Sequence, residues 1–223
     1  VETGLDTLGI SDYKRILSLD SALAVVQFKK NNVAYQRSYF ISYPANVLVM
    51  RFSADRAGMQ NLVFSYAPNS ISQGSLSGDG DKGLVFSASL NNNGMKYVVR
   101  IQAETKGGTL SNTGCRLTVK GADEVVFYVT ADTDYKMNFN PDFKDPKTYV
   151  GVDPAETTCQ WISNAVTQGY TALFQQHYSD YAALFNRVRL NLNPSVKTSD
   201  IPTPQRLKNY RNGQPDYYLE ELY

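Results

Sequence analysis

From about residue 12 to residue 135 the chain alternates apolar and polar side chains in short runs broken by turn formers. Over 13–20, Tyr13, Arg15, Leu17 and Leu19 alternate with Lys14, Ile16, Ser18 and Asp20. The run 22–29 comes next, Asn31-Asn32 makes a hairpin turn because Asn tolerates positive φ, and 33–43 resumes until Pro44-Ala45-Asn46 breaks it. Further runs lie at 47–54, 61–66, 83–90, 95–105, 115–120 and 124–131, with Asn, Gly, Asp and Pro between them. Short strands at roughly ten-residue spacing, without intervening helices, predict a mainly β protein built as an antiparallel sandwich.

The period changes after Tyr135. Residues 136–152 read as a loop. Asp153-Pro154-Ala155-Glu156 then reads as a capping box, with Cys159, Ile162 and Val166 following at helical spacing. Gly169 marks a break. Tyr170, Leu173, His177, Tyr181 and Leu184 give a second helix one apolar face, which predicts that Leu173, His177 and Tyr181 pack against protein. Residues 187–192 alternate again, with Val188, Leu190 and Leu192 on one side, and predict a strand returning to a sheet that Asn193-Pro194 ends. Thr203 suits an N-cap, Pro204 the first helical position and Gly213 a stop. Asp216 opens a last run that puts Tyr218, Leu219, Leu222 and Tyr223 on adjoining faces. About eight residues make roughly 12 Å of helix, marginal alone in water, so its apolar face calls for a partner that the rest of the chain does not supply.

Composition narrows the function classes. The 22 basic and 21 acidic residues give a net charge of +1, which carries no footprint for nucleic acid or an anionic membrane. No apolar run approaches the roughly 20 residues that span a bilayer. Cys115 and Cys159 fit no metal spacing and read as two buried free thiols, with a disulfide between them as the alternative. The 16 Tyr and 10 Phe, with little charge, suit an extracytoplasmic or sugar-handling β protein.

Candidate chemistry is sparse. His177 is the one histidine, so a multi-histidine metal site is excluded. It lies on the apolar stripe without a Gly-x-Ser-x-Gly nucleophile elbow, and reads as a packed, hydrogen-bonded helix residue. Residues 78–83 (Gly-Asp-Gly-Asp-Lys-Gly) lack the spaced carboxylates and final Glu of an EF-hand and read as a polar connection. Asp123, Glu124, Asp132 and Asp134 lie near strand ends, but nothing selects two of them as a glycosidic acid and base. Trp161, Tyr178 and Phe185 read as core rather than as a sugar-stacking platform.

Four blocks together resemble the N-terminal region of glycoside hydrolase family 95, the inverting α-L-fucosidases. They are 13–22 (Tyr-Lys-Arg-Ile-Leu-Ser-Leu-Asp-Ser-Ala); 33–44, where Ser38 stands in place of the family's Glu; Gly121-Ala122-Asp123-Glu124 with Ala131-Asp132-Thr133-Asp134-Tyr135; and 177–188. The last is the most specific: His177, Asp180, Tyr181, Leu184, Phe185, Arg187 and Val188 match His-x-x-Asp-Tyr-x-x-Leu-Phe-x-Arg-Val, and 201–207 resembles the family's next segment, Pro-Thr-x-x-Arg-Leu. The resemblance spans nearly the whole chain.

It implies an antiparallel β-supersandwich of galactose-mutarotase-like type over 1–150, a helical linker over 151–188, and a returning strand with the start of a catalytic (α/α)6 barrel over 189–223. It also implies that the first strands of the sandwich and the barrel lie outside the chain. In the family a barrel carboxylic acid protonates the leaving oxygen while a positioned water attacks the anomeric carbon. No position here matches a catalytic residue, and the reading assigns no cofactor-binding residue and no metal ligand. The implied partners are a glycan substrate met through the parent enzyme and the catalytic barrel packing on the linker and C-terminal helices. The competing reading is a stand-alone carbohydrate-binding or adhesion sandwich with no catalytic partner.

Overall fold

The structure is a computed structural model and describes residues 1–68, 70–192 and 201–222. It divides into two compact units, Val1–Ala182 and Ala183–Tyr223. Among the described residues the first unit holds eleven antiparallel strands in two sheets. The larger sheet joins β1 (Ile10–Ser18), β2 (Leu23–Lys30), β3 (Val33–Ser42), β4 (Val47–Ala54), β6 (Ser72–Gly78), β7 (Gly83–Leu90), β8 (Lys96–Lys106) and β11 (Glu124–Thr133) in the order β1-β2-β3-β4-β11-β8-β7-β6. The smaller sheet is β5 (Gln60–Ser65), β10 (Arg116–Ala122) and β9 (Thr109–Asn112), in the order β5-β10-β9. Asn31 and Asn32 turn the β2–β3 hairpin with φ of 51° and 59°, as their side chains permit.

The two larger cores sit on the two faces of the large sheet, and a smaller cluster gathers Phe28, Val33 and Tyr35 of β2 and β3. Phe52, Leu84, Ile101, Val125 and Phe127 meet Leu62, Phe64, Leu117 and Val119 of the small sheet and form the sandwich interior. On the opposite face Phe40, Val47, Val49, Val126 and Tyr128 receive Ile162, Ala165 and Leu173 of α1 (Pro154–Phe185). Strand β11 feeds both layers, which explains its unbroken apolar run Val125-Val126-Phe127-Tyr128. The sandwich is therefore covered on one side by a helix that sequence periodicity placed correctly.

Helix α1 begins at the predicted cap. Asp153 Oδ1 accepts the Ala155 N–H at 2.9 Å, and that hydrogen bond holds the Asp153 carboxyl below its usual range. Gly169, at φ 72° and ψ 171°, interrupts the helix at the predicted break, a conformation that glycine adopts without a Cβ penalty. Both halves still reach the sheet, Ile162 and Ala165 from one and Leu173 and His177 from the other.

Four expectations are corrected. Two strands escape the pattern: β6 is rich in Ser and Gly, and β9 is only four residues long. Gly74 in β6 is needed for close approach, since a Cβ there would lie 2.3 Å from Ser87 O and 2.4 Å from Ala88 Cβ. Residues 187–192 form turn and coil rather than a strand, with Val188 and Leu190 exposed. Alternation alone does not hold a strand; a ladder partner does. The expected stop at Asn193-Pro194 lies outside the described residues. Both cysteines are free and exposed rather than buried. Cys115 precedes β10 instead of sitting in it, and beside Cys159 it is Thr158 that takes the inward position on α1.

The fourth correction concerns the last helices, in the second unit. Helix α2 (Thr203–Arg211) has Pro202 at its cap and Thr203 as its first residue, one position earlier than expected. Helix α3 (Tyr217–Leu222) starts at Asp216, whose Oδ1 accepts the Leu219 N–H at 3.0 Å. The short helix finds a partner in α2. The buried Arg206 donates to both carboxylate oxygens of Asp216 at 2.9 and 2.8 Å, and its guanidinium lies 4.6 Å from the Tyr218 ring centre. Tyr223 lies outside the described residues.

This clasp sets a pH dependence. Desolvation pushes the Asp216 carboxyl up, yet the backbone N–H of Leu219 and the Arg206 guanidinium outweigh it and hold the group below the usual carboxylate range. A lowered folded-state value means stability that is complete above the unfolded value and is lost as pH falls through the folded one. Circular dichroism is expected to show α2–α3 helicity melting below about pH 4. Asp216→Asn should remove that step; an unchanged acid transition in the variant refutes the assignment.

Candidate functional site

The helix face of the large sheet carries most of the polar chemistry. In β3, β4 and β11 the apolar pattern on this face is interrupted by Ser38, Arg51 and Glu124. Tyr170, just past the Gly169 break, meets the first two: its hydroxyl lies 3.1 Å from Ser38 Oγ, and the Arg51 guanidinium sits 4.8 Å over its ring. Arg51 Nη2 donates to Glu124 Oε2, which together with Tyr170 raises the guanidinium pKa further. Among the described residues Arg51 Nε is buried without an acceptor. Tyr128 donates its hydroxyl to Glu104 Oε2 at 2.7 Å; burial and the carboxylate push the phenol far above its usual value, so it remains a donor.

His177 behaves as a structural residue. Its Nε2 lies 3.1 Å from Ser21 O, and its ring stacks on Phe40 at 5.0 Å. Leu173 is fully buried, His177 nearly so and Tyr181 half-buried, as the stripe predicts, while Leu184 is exposed.

Beside this cluster, toward β1, the sheet forms an open depression of about 620 Å³ lined among others by Lys14, Gln27, Gln36, Arg51 and Ser53. Gln27 Nε2 donates to Gln36 Oε1 across the β2–β3 pair at 2.9 Å. Planar amides and three cations, Lys14, Lys29 and Arg51, on a shallow sheet suit hydroxyl-rich ligands. The two carboxylates that also line it are engaged elsewhere: Asp12 pairs with Lys29 at 2.8 Å, and Asp55 Oδ1 accepts the Ala34 N–H at 3.0 Å.

The acidic residues singled out from sequence are each committed to structure. Asp123 Oδ1 accepts the Gly58 N–H at 2.8 Å, and Asp134 Oδ1 accepts the Lys96 N–H at 2.9 Å. Asp132 accepts the N–H of the next residue, and Glu124 holds Arg51. Residues 79–82 form the turn between β6 and β7, and the Asp79 carboxylate takes Arg100 at 2.7 Å. Among the described residues no group of three or more His, Cys, Asp or Glu is placed to hold a metal ion.

The aromatic trio is corrected in part. Trp161 is half-buried, but Tyr178 and Phe185 are exposed at 40% and 39%. Trp161 and Tyr178 lie on opposite sides of the Gly169 break in sequence, and Phe185 belongs to the second unit. Sequence reading overlooked Phe139 and Phe143, the most exposed aromatic side chains of the loop before α1. Their signal is present: large apolar residues among Asn, Asp and Pro that no strand or helix period claims.

Comparison with known proteins agrees with this layout. Residues 169–223 match a family model described as glycosyl hydrolase family 95 catalytic domain. A protein named "Probable alpha-fucosidase A" from Aspergillus niger is 32% identical over 96% of this chain and 27% of its own length. "Alpha-L-fucosidase 2" of Arabidopsis thaliana is 25% identical over 96% of this chain and 28% of its own. The chain thus spans little more than a quarter of these curated relatives. Among solved structures, a putative kojibiose phosphorylase from human microbiome aligns with 78% of this chain and 25% of its own, at a TM-score of 0.52 and 13% identity, a likeness of fold alone. Residues 3–138, more than half of the chain, match the model described as glycosyl hydrolase family 65, N-terminal domain, and the chain belongs to that family.

Proposed function

We propose that the chain is the non-catalytic β-sandwich and linker of a glycoside hydrolase that removes terminal α-L-fucosyl, or the similar α-L-galactosyl, groups from glycans with inversion. The observation that carries this reading is the alignment of 96% of the chain with an α-fucosidase of which it represents 27%. The acidic residues near strand ends are held in turns, caps and ion pairs, which agrees with chemistry located elsewhere in the protein. The sandwich then works as a scaffold: Leu173 and His177 fasten α1 to the sheet, so the helix gives the catalytic domain a fixed point of departure.

A fucosyl oligosaccharide assay tests this. Residues 1–223 alone are expected to show no turnover. The full-length gene product is expected to release fucose, with the β-anomer first in the NMR spectrum. Genuine turnover by the isolated chain, or a full-length protein inert toward fucosides and α-L-galactosides, refutes it. The open depression on the sheet supports the stand-alone carbohydrate-binding alternative; glycan-array binding by residues 1–223 that Gln36→Ala abolishes would favour it.

A further inference from the structure

Residues 136–152 connect β11 to α1 and carry an unusual load of exposed apolar surface. Phe139 is 94% exposed and Phe143 84%, with Met137, Val150 and Val152 also exposed. Large apolar side chains concentrated on one exposed loop point to an interaction site.

The loop is built to hold those side chains outward. Lys136 N–H donates to Tyr149 O at 2.8 Å, and Gly151 N–H to Asp134 O at 2.6 Å, closing its base. The Tyr135 and Tyr149 rings stack at 5.9 Å. Higher up, Asn138 Nδ2 donates to Thr148 O at 3.1 Å, and the Asp142 N–H donates to Thr148 Oγ1 at 3.0 Å. Such a frame has already lost much of its conformational entropy, so docking it costs less than docking a floppy segment.

The polar groups of the loop decide what it fits. Asn138 Oδ1 accepts the Asn140 N–H, Asp142 Oδ1 the Lys144 N–H, and Asp145 Oδ1 the Lys147 N–H. A sugar site needs polar groups converging on the ligand; here they turn inward to the loop's own backbone. Phenylalanine, unlike Tyr or Trp, also brings no polar handle. Two apolar knobs remain outside, and they fit an apolar recess in a protein.

We propose that Phe139 and Phe143 plug into an apolar recess of the helical catalytic domain of the same polypeptide, seating the β-sandwich against it. This rests on the reading under Proposed function. Position and length select this occupant. The loop runs directly into α1, and the match to a family 95 catalytic domain begins within that helix, at residue 169. The curated α-fucosidases that align with the chain devote nearly three quarters of their length to sequence outside the aligned part.

The test is a photo-crosslinker. Phe143 is replaced by p-benzoylphenylalanine in the full-length gene product, which is irradiated and mapped by peptide mass spectrometry, alone and with a fucosylated oligosaccharide. An intrachain crosslink to a segment beyond residue 223 is expected. Crosslinks to a second copy or to the oligosaccharide, crosslinks absent altogether, or a gene product ending at residue 223 each overturn the proposal. In parallel, F139S/F143S should leave the melting temperature of residues 1–223 unchanged while speeding thermal inactivation of the full-length protein about tenfold or more. Equal effects on both, or on neither, also overturn it. A full-length protein that cleaves fucosides without the crosslink sinks only the docking loop; one that crosslinks without cleaving sinks only the fucosidase reading.

Discussion

Truncation of Phe127 to alanine is expected to lower the unfolding free energy by about 3–5 kcal/mol. Phe127 is fully buried at the centre of the sandwich, on the strand that joins β4 to β8. Its ring contacts Phe52 edge-on at 5.9 Å and Phe64 in a tilted pair at 4.9 Å. Phe64 belongs to the small sheet, so one side chain couples the two layers. Alanine removes the transfer energy of the ring and leaves a cavity that two opposed sheets cannot easily collapse. Denaturant titration of residues 1–223 should show a lower midpoint at unchanged slope, since the surface exposed on unfolding is nearly the same. Phe127→Leu keeps most of the volume and should cost much less. A loss below about 1 kcal/mol for alanine would mean that the two sheets do not share this core.

The contrast between β11 and the strands that sequence reading missed is one of burial. A strand covered on both faces has every position selected for apolar character, and Val125-Val126-Phe127-Tyr128 shows it directly. At the edges of the two sheets, β6 and β9 are fixed by ladder hydrogen bonds to β7 and β10, which leave no mark on side-chain type. Residues 187–192 make the converse case: they have the alternation and lack the ladder. Strand order is also non-local. Nothing in the spacing says that β11 inserts between β4 and β8, because that pairing depends on which edges remain free once the hairpins form.

The site was less legible than the fold for a related reason. His177 and Leu173 could be read because helical period places them on one face. Glu124 and Arg51, 73 positions apart in the chain, come together only through the β4–β11 register. Phe139 and Phe143 sit in a segment without period, where nothing in the pattern distinguishes an exposed aromatic from a buried one. A loop's conformation depends on side-chain-to-backbone bonds such as Asn138 to Thr148, and those are specified residue by residue.

The interruption at Gly169 leads to the second large effect. Leu173→Asp is expected to cost more than about 3 kcal/mol and to detach only the second half of α1. Leu173 is fully buried within the cluster formed by Phe40, Val47, Val49, Val126, Tyr128 and Ile162. A carboxylate there loses the packing of leucine and gains no partner, so burial would raise its pKa, and the penalty should grow as pH rises above the unfolded value. The first half of α1 has its own anchors: Ile162, Ala165, and Thr158, whose backbone oxygen lies 3.4 Å from Thr130 Oγ1. At Gly169 the backbone leaves helical φ/ψ, so unfolding of the second half need not propagate backward. Hydrogen exchange on the variant at neutral pH should therefore show lost protection over residues 170–182 and retained protection over 154–168. Leu173→Met should leave both intact. Loss spread evenly along α1 would show that the two halves unfold as one, and that Gly169 bends the helix without dividing its stability.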